Sequence, residues 1–203
     1  MQNNQTYKNR ALESLNSKWA NGVIATLIVF LISGGVSQVA TLPMGQASGT
    51  AFSGIWSLLC LPLSWGFTVY FLNLIRNHDI SYERLIDGYK DFVRIFLAEL
   101  LVGLAVGVGT ILFIVPGIIL GLMFSQTAFI LKDDPQISAG DAQSLSSKMM
   151  QGHKMELFWL VLSFIGWAIL ACLTFGLGFL LLAPYYEATM AHYYEDLKAE
   201  YQS

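Results

Sequence analysis

Eleven Lys and Arg residues are confined to four polar segments of this 203-residue chain. These are an N-terminal arm (Lys8, Arg10, Lys18), a linker over 76–94, a second linker over 132–154, and the tail with Lys198. The long apolar stretches between them carry none. The breaks at 43–50, 115–117 and 174–178 carry no charge of either sign. Short loops rich in Lys and Arg stay on the cytoplasmic side, whereas uncharged ones cross readily. The pattern therefore predicts a polytopic membrane protein with both termini cytoplasmic.

Composition agrees. The chain is 55% apolar and 12% charged, with a mean hydropathy of +0.55, as expected where the outer surface faces lipid. A net charge of −3 without a basic block gives nucleic acid nothing to hold. Cys60 and Cys172 sit in apolar stretches with no CxxC spacing, so they read as small hydrophobes. No cofactor and no metal site is expected. The first twenty residues are polar and include Glu13, and the apolar run that follows is too long for a signal-peptide core. That favours an uncleaved first membrane helix.

A helix rises about 1.5 Å per residue, so a hydrocarbon core of about 30 Å needs about 20 residues. Six spans fit: 21–42, 52–75, 95–114, 117–131, 157–173 and 177–194. The loop around Pro43, Gly45 and Gly49 separates the first two. The run 95–131 is too long for one helix and breaks at Gly107, Gly109 and Pro116-Gly117. Six spans keep Glu195, Asp196, Lys198 and Glu200 on the cytoplasmic side; five would strand them outside. The expected fold is all-α: one integral membrane domain, a bundle of about six transmembrane helices arranged as three hairpins joined by amphipathic cytoplasmic linkers.

A unit of about 60–65 residues recurs three times: polar amphipathic segment, apolar helix, uncharged break, second apolar helix. Residues 117–134 parallel 178–196 in apolar pattern, and both end in acidic pairs. Residues 67–81 parallel 124–138, with Ile80-Ser81 opposite Ile137-Ser138. Three hairpins around a pseudo-threefold axis follow from it. In the first linker Ser81 or Asp79 can cap a helix over 82–92, whose apolar stripe is Tyr82, Leu85, Ile86, Tyr89 and Phe92. In the second, Ser138 or Asp141 can start a helix carrying Leu145, Met149 and Met150. Such helices lie in the headgroup layer or fold against the bundle.

Charge within hydrocarbon is costly, so an ionisable residue there is a functional candidate by default. Glu99, in the third span, and Glu187, in the sixth, qualify. The repeat places Glu187 opposite Gln126, and together the three would line a polar inner-leaflet pocket with Tyr185, Tyr186 and His192 near its mouth. The plainer readings are that Glu99 snorkels or pairs with Arg94 or Arg76, and that Glu187 pairs with Lys132 or the tyrosines as helix glue. Trp19, Tyr70, Tyr193 and Tyr194 read as interface belts. Gly34-Gly35, Gly103, Gly107 and Gly109 read as close helix packing. His78 and His153, in the linkers, read as solvated.

Several ordered motifs carry a resemblance: Val115-Pro-Gly-Ile-Ile119; Ser147-Lys-Met-Met-Gln-Gly152, then Leu157-Phe-Trp159 and Leu162-Ser-Phe-Ile-Gly-Trp167; Leu173-Thr-Phe-Gly-Leu-Gly178; and Ala183-Pro-Tyr-Tyr186 with Tyr193-Tyr194. With the opening Ala11-Leu12, Leu15 and Trp19, they make the chain resemble a bacterial membrane-protein family catalogued as domain of unknown function 975. The resemblance implies a multi-helix protein of the bacterial cytoplasmic membrane and attaches no activity to any residue. The 148–152 stretch is less basic than the family pattern, which weakens an anionic-lipid role for that linker. The function expected is non-enzymatic: binding or moving a lipid-like or small hydrophobic molecule. The alternative is a scaffold or accessory subunit packed against other membrane proteins. Membrane lipids are the expected partners and, on the second reading, other membrane proteins too. An intramembrane enzyme is disfavoured, because no His lies deep in a span and HExxH and GxSxG are absent.

Overall fold

In the computed structural model, which describes residues 2–43 and 46–202, one chain order repeats three times: a short helix, then two long ones. The first set is α1 (Asn4–Leu15), α2 (Trp19–Thr41) and α3 (Gln46–Ile75). The second is a 3₁₀ helix (Tyr82–Tyr89), α4 (Phe92–Leu112) and α5 (Ile114–Asp133). The third is α6 (Ala139–Met149), α7 (Lys154–Leu173) and α8 (Phe179–Gln202). The described residues contain no strand. Gly45 lies outside them.

Among the described residues five helices, α2, α3, α4, α5 and α7, are long and apolar enough to cross a membrane. The sixth segment expected, 177–194, falls within α8, which does not stop at 194 but runs through the charged tail to Gln202. Burial sorts the long helices. The first of each set is 11%, 17% and 22% buried (α2, α4, α7), whereas α3 and α5 reach 61% and 33%. The second helices therefore form an inner group, which α8 joins by packing against α3 and α1.

Each break has a local cause. The α4–α5 turn is a single extended residue, Phe113, at φ −156° and ψ 137°. It is this short because the backbones nearly touch. A Cβ on Gly117 would lie 2.1 Å from Thr110 Oγ1, and one on Gly109 3.1 Å from Gly117 Cα. Gly34, Gly103 and Gly107 do not serve this purpose: nothing lies within 4 Å of where their Cβ would be. Within α2, Leu31–Gly35 widens into a π turn. Trp56 Nε1 on α3 donates to the Ile32 carbonyl at 3.0 Å, supplying a partner in the disturbed ladder. Between α7 and α8 the chain reverses with Phe175 and Gly176 at positive φ.

The first linker is a 3₁₀ rather than an α-helix, and of the two placements expected it takes the one against the bundle. It docks on α3 backbone to backbone, with Gly66 under the Leu85 carbonyl and Gly88 under that of Pro62. Only Leu85 of its apolar stripe is fully buried; Tyr82, Ile86 and Tyr89 stay exposed. Ser81 makes no side-chain cap bond; Asp79 Oδ1 instead accepts from the Ser81 N–H at 2.9 Å. In α6, Ser138 Oγ caps by accepting from the Asp141 N–H at 3.1 Å, and Met149 and Met150 are buried.

Aromatic residues dominate the core at the charged end. Tyr70, Tyr193 and Tyr194 are no interface belt: each is at most 2% exposed. Tyr193 meets Tyr7 edge-on at 5.5 Å, and Tyr194 stacks on Phe129 at 4.9 Å. The ends of α3 and α5 meet the last part of α8 here in a network of charges. Arg76, just past α3, grips Asp133 of α5 in a fork (2.6 and 2.9 Å) and donates through Nε to Glu195 of α8 at 2.6 Å. Lys198 and the Tyr194 hydroxyl also donate to Asp133. The bonds from Asp133, then those from Glu195, hold the Arg76 guanidinium above even its usual range, against the opposing cost of burial.

Candidate functional site

Seen along α3, α5 and α8, the charge network has a counterpart eight residues earlier on each helix. Arg76, Asp133 and Glu195 are preceded at that spacing by Thr68, Ser125 and Glu187. Eight residues is about 2.2 helical turns, about 12 Å along the axis, so each upper residue stands two turns further in and is rotated by about 80° from the lower one. Thr68, Ser125 and Glu187 all line one cavity of about 270 Å³. Glu99, from α4, lines it too. Both carboxyls are partly buried.

The cavity has a polar side and an apolar side. Ser64 and Thr68 are one turn apart on α3, and Ser125 and Thr127 flank a turn in α5. Val102, Phe124 and Met190 supply apolar wall, and Tyr186 presents an aromatic ring. The Thr68 hydroxyl donates to Glu187. Ser125 Oγ donates to the Leu122 carbonyl at 2.8 Å and accepts from Gln126 Nε2 at 2.8 Å. Ser64 Oγ donates to the Cys60 carbonyl. Among the described residues neither Glu99 nor Glu187 has a salt-bridge partner.

The cations that could have neutralised them are engaged elsewhere. Arg76 is held by Asp133 and Glu195. Arg94 pairs with Asp91 and donates to the carbonyls of Leu131, Asp134 and Ile137, which covers the C-terminal end of α5. Pairing of Glu99 with either arginine, one of the plainer readings of the sequence, does not occur.

The six residues singled out by sequence separate into four places. Glu99 and Glu187 share the cavity. Gln126 is fully buried behind it, its backbone N–H donating to Ser146 Oγ at 3.2 Å and its side-chain oxygen without a partner. The inner helices are thus registered one residue away from the sequence alignment: Ser125, not Gln126, stands level with Glu187. Tyr185 lies edge-on to Phe164 at 5.2 Å and lines a separate apolar cavity with Trp19 and Trp167. His192 lies nearer the charged end, where its Nε2 is 2.8 Å from Ser14 Oγ of α1. Tyr186 stands in the cavity wall that Tyr185 does not reach. His153 bonds Glu156 rather than being simply solvated.

Several lining residues escaped sequence reasoning, among them Ser64, Thr68 and Val102. Two of them left a signal. Ser64 and Thr68 are hydroxyl residues at i, i+4 within an apolar run, the spacing that puts both on one helix face. The described residues hold no cluster of three or more His, Cys, Asp or Glu suited to a metal ion. The arrangement is a small cleft with acceptor oxygens, two carboxyls and one apolar wall, a form suited to binding.

No curated protein and no solved structure matches the chain. A family model does: the one described as protein of unknown function (DUF975) covers residues 1–120 and 108–201, and the chain belongs to that family.

Proposed function

We propose that this chain is an integral membrane protein that binds or translocates a small lipid-like or hydrophobic molecule through the Glu99–Glu187 cavity. In this reading the first part of α8 is a sixth span, the charge network lies at the cytoplasmic face, and both termini are cytoplasmic. The observation that carries it is a cavity on apolar helices lined by two carboxyls without a cation. Such groups are expensive to keep in hydrocarbon unless something uses them. Lys and Arg confined to one end of the bundle support the orientation.

Native mass spectrometry of the protein, gently extracted from its own membrane and run beside Glu187→Gln, tests the binding role. A defined adduct lost in the variant is expected. A bare protein in both samples overturns the reading. A second reading, packing against another membrane protein, has its own support. Gly34, Gly103 and Gly107 leave open space on the least buried helices, and small residues allow another helix close approach. It expects a polypeptide to co-purify irrespective of Glu187.

A further inference from the structure

The lining of the cavity also speaks to the class of molecule it takes. We infer that the occupant is a cationic amphiphile: an organic ammonium head held between Glu99 and Glu187, with an apolar tail in the adjoining groove. The inference rests on the binding role proposed above and adds the ligand's chemistry to it.

Three observations carry it. The first is the donor–acceptor balance of the site. Carboxylates accept only. The Thr68, Ser64 and Ser125 hydroxyl hydrogens are already committed, to Glu187 and to backbone carbonyls. What the two carboxylates and these three hydroxyls still offer is acceptor only, and an ammonium with several N–H donors complements it. The second is independent of the carboxyls. Thr127 also lines the cavity, is only 3% exposed, and its Oγ1 has no hydrogen-bond partner. A buried hydroxyl left unpaired costs about 1–3 kcal/mol, so the cavity wall holds an unmet polar group beside the carboxyls. The third is charge. Glu99 and Glu187 repel across a site of low dielectric, and no Lys, Arg or His lines it. A cation relieves that repulsion, whereas a phosphate or carboxylate head would add to it.

The tail follows from the neighbouring space. Ser125, Tyr186 and Met190 are common to the acidic cavity and to an apolar groove of about 520 Å³ between α5 and α7. That groove is walled by Leu122, Phe158, Val161 and Ile165 and carries no charged residue. The Tyr186 ring stands at the junction, where an aromatic face favours a nearby ammonium. An inorganic cation would have no use for the groove. A hard divalent ion would need about six or more oxygens in a defined shell, for which two carboxyls and a few committed hydroxyls are a poor match.

The test uses the full chain in maltoside micelles, with native mass spectrometry of adducts formed with dodecylamine, dodecyl phosphate, dodecanol or sodium ion. One saturable dodecylamine adduct is expected, with dodecyl phosphate and dodecanol failing to compete for it. Glu187→Gln and Glu99→Gln should each weaken it roughly tenfold or more, as loss of one charged partner does at a desolvated site. Val102→Trp, which keeps both carboxyls and fills the cavity, should abolish it even if a glutamine variant folds poorly. Equal dodecylamine binding by the double glutamine variant overturns the inference. So does equal binding of dodecyl phosphate, or displacement of dodecylamine by sodium ion alone. If dodecylamine fails to bind while the adduct from the native membrane still depends on Glu187, the ligand class is wrong and the binding role stands. If both are absent, both fall.

Discussion

Two acidic regions, one at the charged end of α3, α5 and α8 and one two turns further in where α4 adds Glu99, are built on opposite principles. At the helix ends Asp133 receives Arg76, Lys198 and the Tyr194 hydroxyl, and Glu195 receives Arg76. Two turns further in, Glu99 and Glu187 share a cavity with hydroxyls and no cation. Equal chemistry at the two levels would make both structural. The difference says that one set of carboxylates has its counterions within the chain, and the other leaves room for a counterion from outside.

The comparison can be broken by experiment, starting where the effect is largest. Arg76→Met leaves Asp133 and Glu195 facing each other. Complete burial would cost about 3–5 kcal/mol, and with roughly a fifth of the Arg76 side chain exposed the expected loss is about 2–3 kcal/mol. Thermal unfolding in micelles measures it; a shift within error would mean the network holds nothing. A charge swap, Arg76→Asp with Asp133→Arg, should recover about 1–2 kcal/mol relative to the sum of the single changes, read as a double-mutant cycle. Strict additivity would deny direct coupling. Tyr194→Phe removes one bond to a charged acceptor and should cost about 1–2 kcal/mol. Smallest of all, Glu187→Gln should lose no stability and gain up to about 1 kcal/mol by ending the repulsion with Glu99. If it destabilises the protein as much as Arg76→Met does, Glu187 is helix glue and the two regions are alike after all.

Much of this arrangement is written in the charge pattern. Lys and Arg placement picks out the long helices, and the uncharged breaks at 115–117 and 174–178 fall at or beside the two reversals seen. Glu99 and Glu187 stand out because carboxyls are rare in apolar runs. What the sequence conceals is direction. Tyr185 and Tyr186 are identical neighbours, and both pack edge-on against Phe164, but about 100° of helix rotation separates them and puts only Tyr186 in the acidic cavity. The same rotation turns Gln126 away and Ser125 in. Tyr70, Tyr193 and Tyr194 match the composition of a membrane-interface belt, but partners distant in sequence, such as Tyr7 and Asp133, draw the last two inward. Gly109 and Gly117 owe their role to each other, which a reading of either alone cannot supply; Gly103 and Gly107 have the same local sequence signature and no such partner.

The docking of α1 carries a consequence for synthesis. Its contacts reach almost across the whole chain: Lys8 Nζ to the Ser163 carbonyl at 3.1 Å, Arg10 to Asp196 at 2.8 Å, Ser14 to His192 at 2.8 Å. On a ribosome the first helix is made long before α7 and α8 exist to receive it. It waits without those partners until they have emerged. The latch that joins residues 8–14 to residues 163–196 therefore closes late.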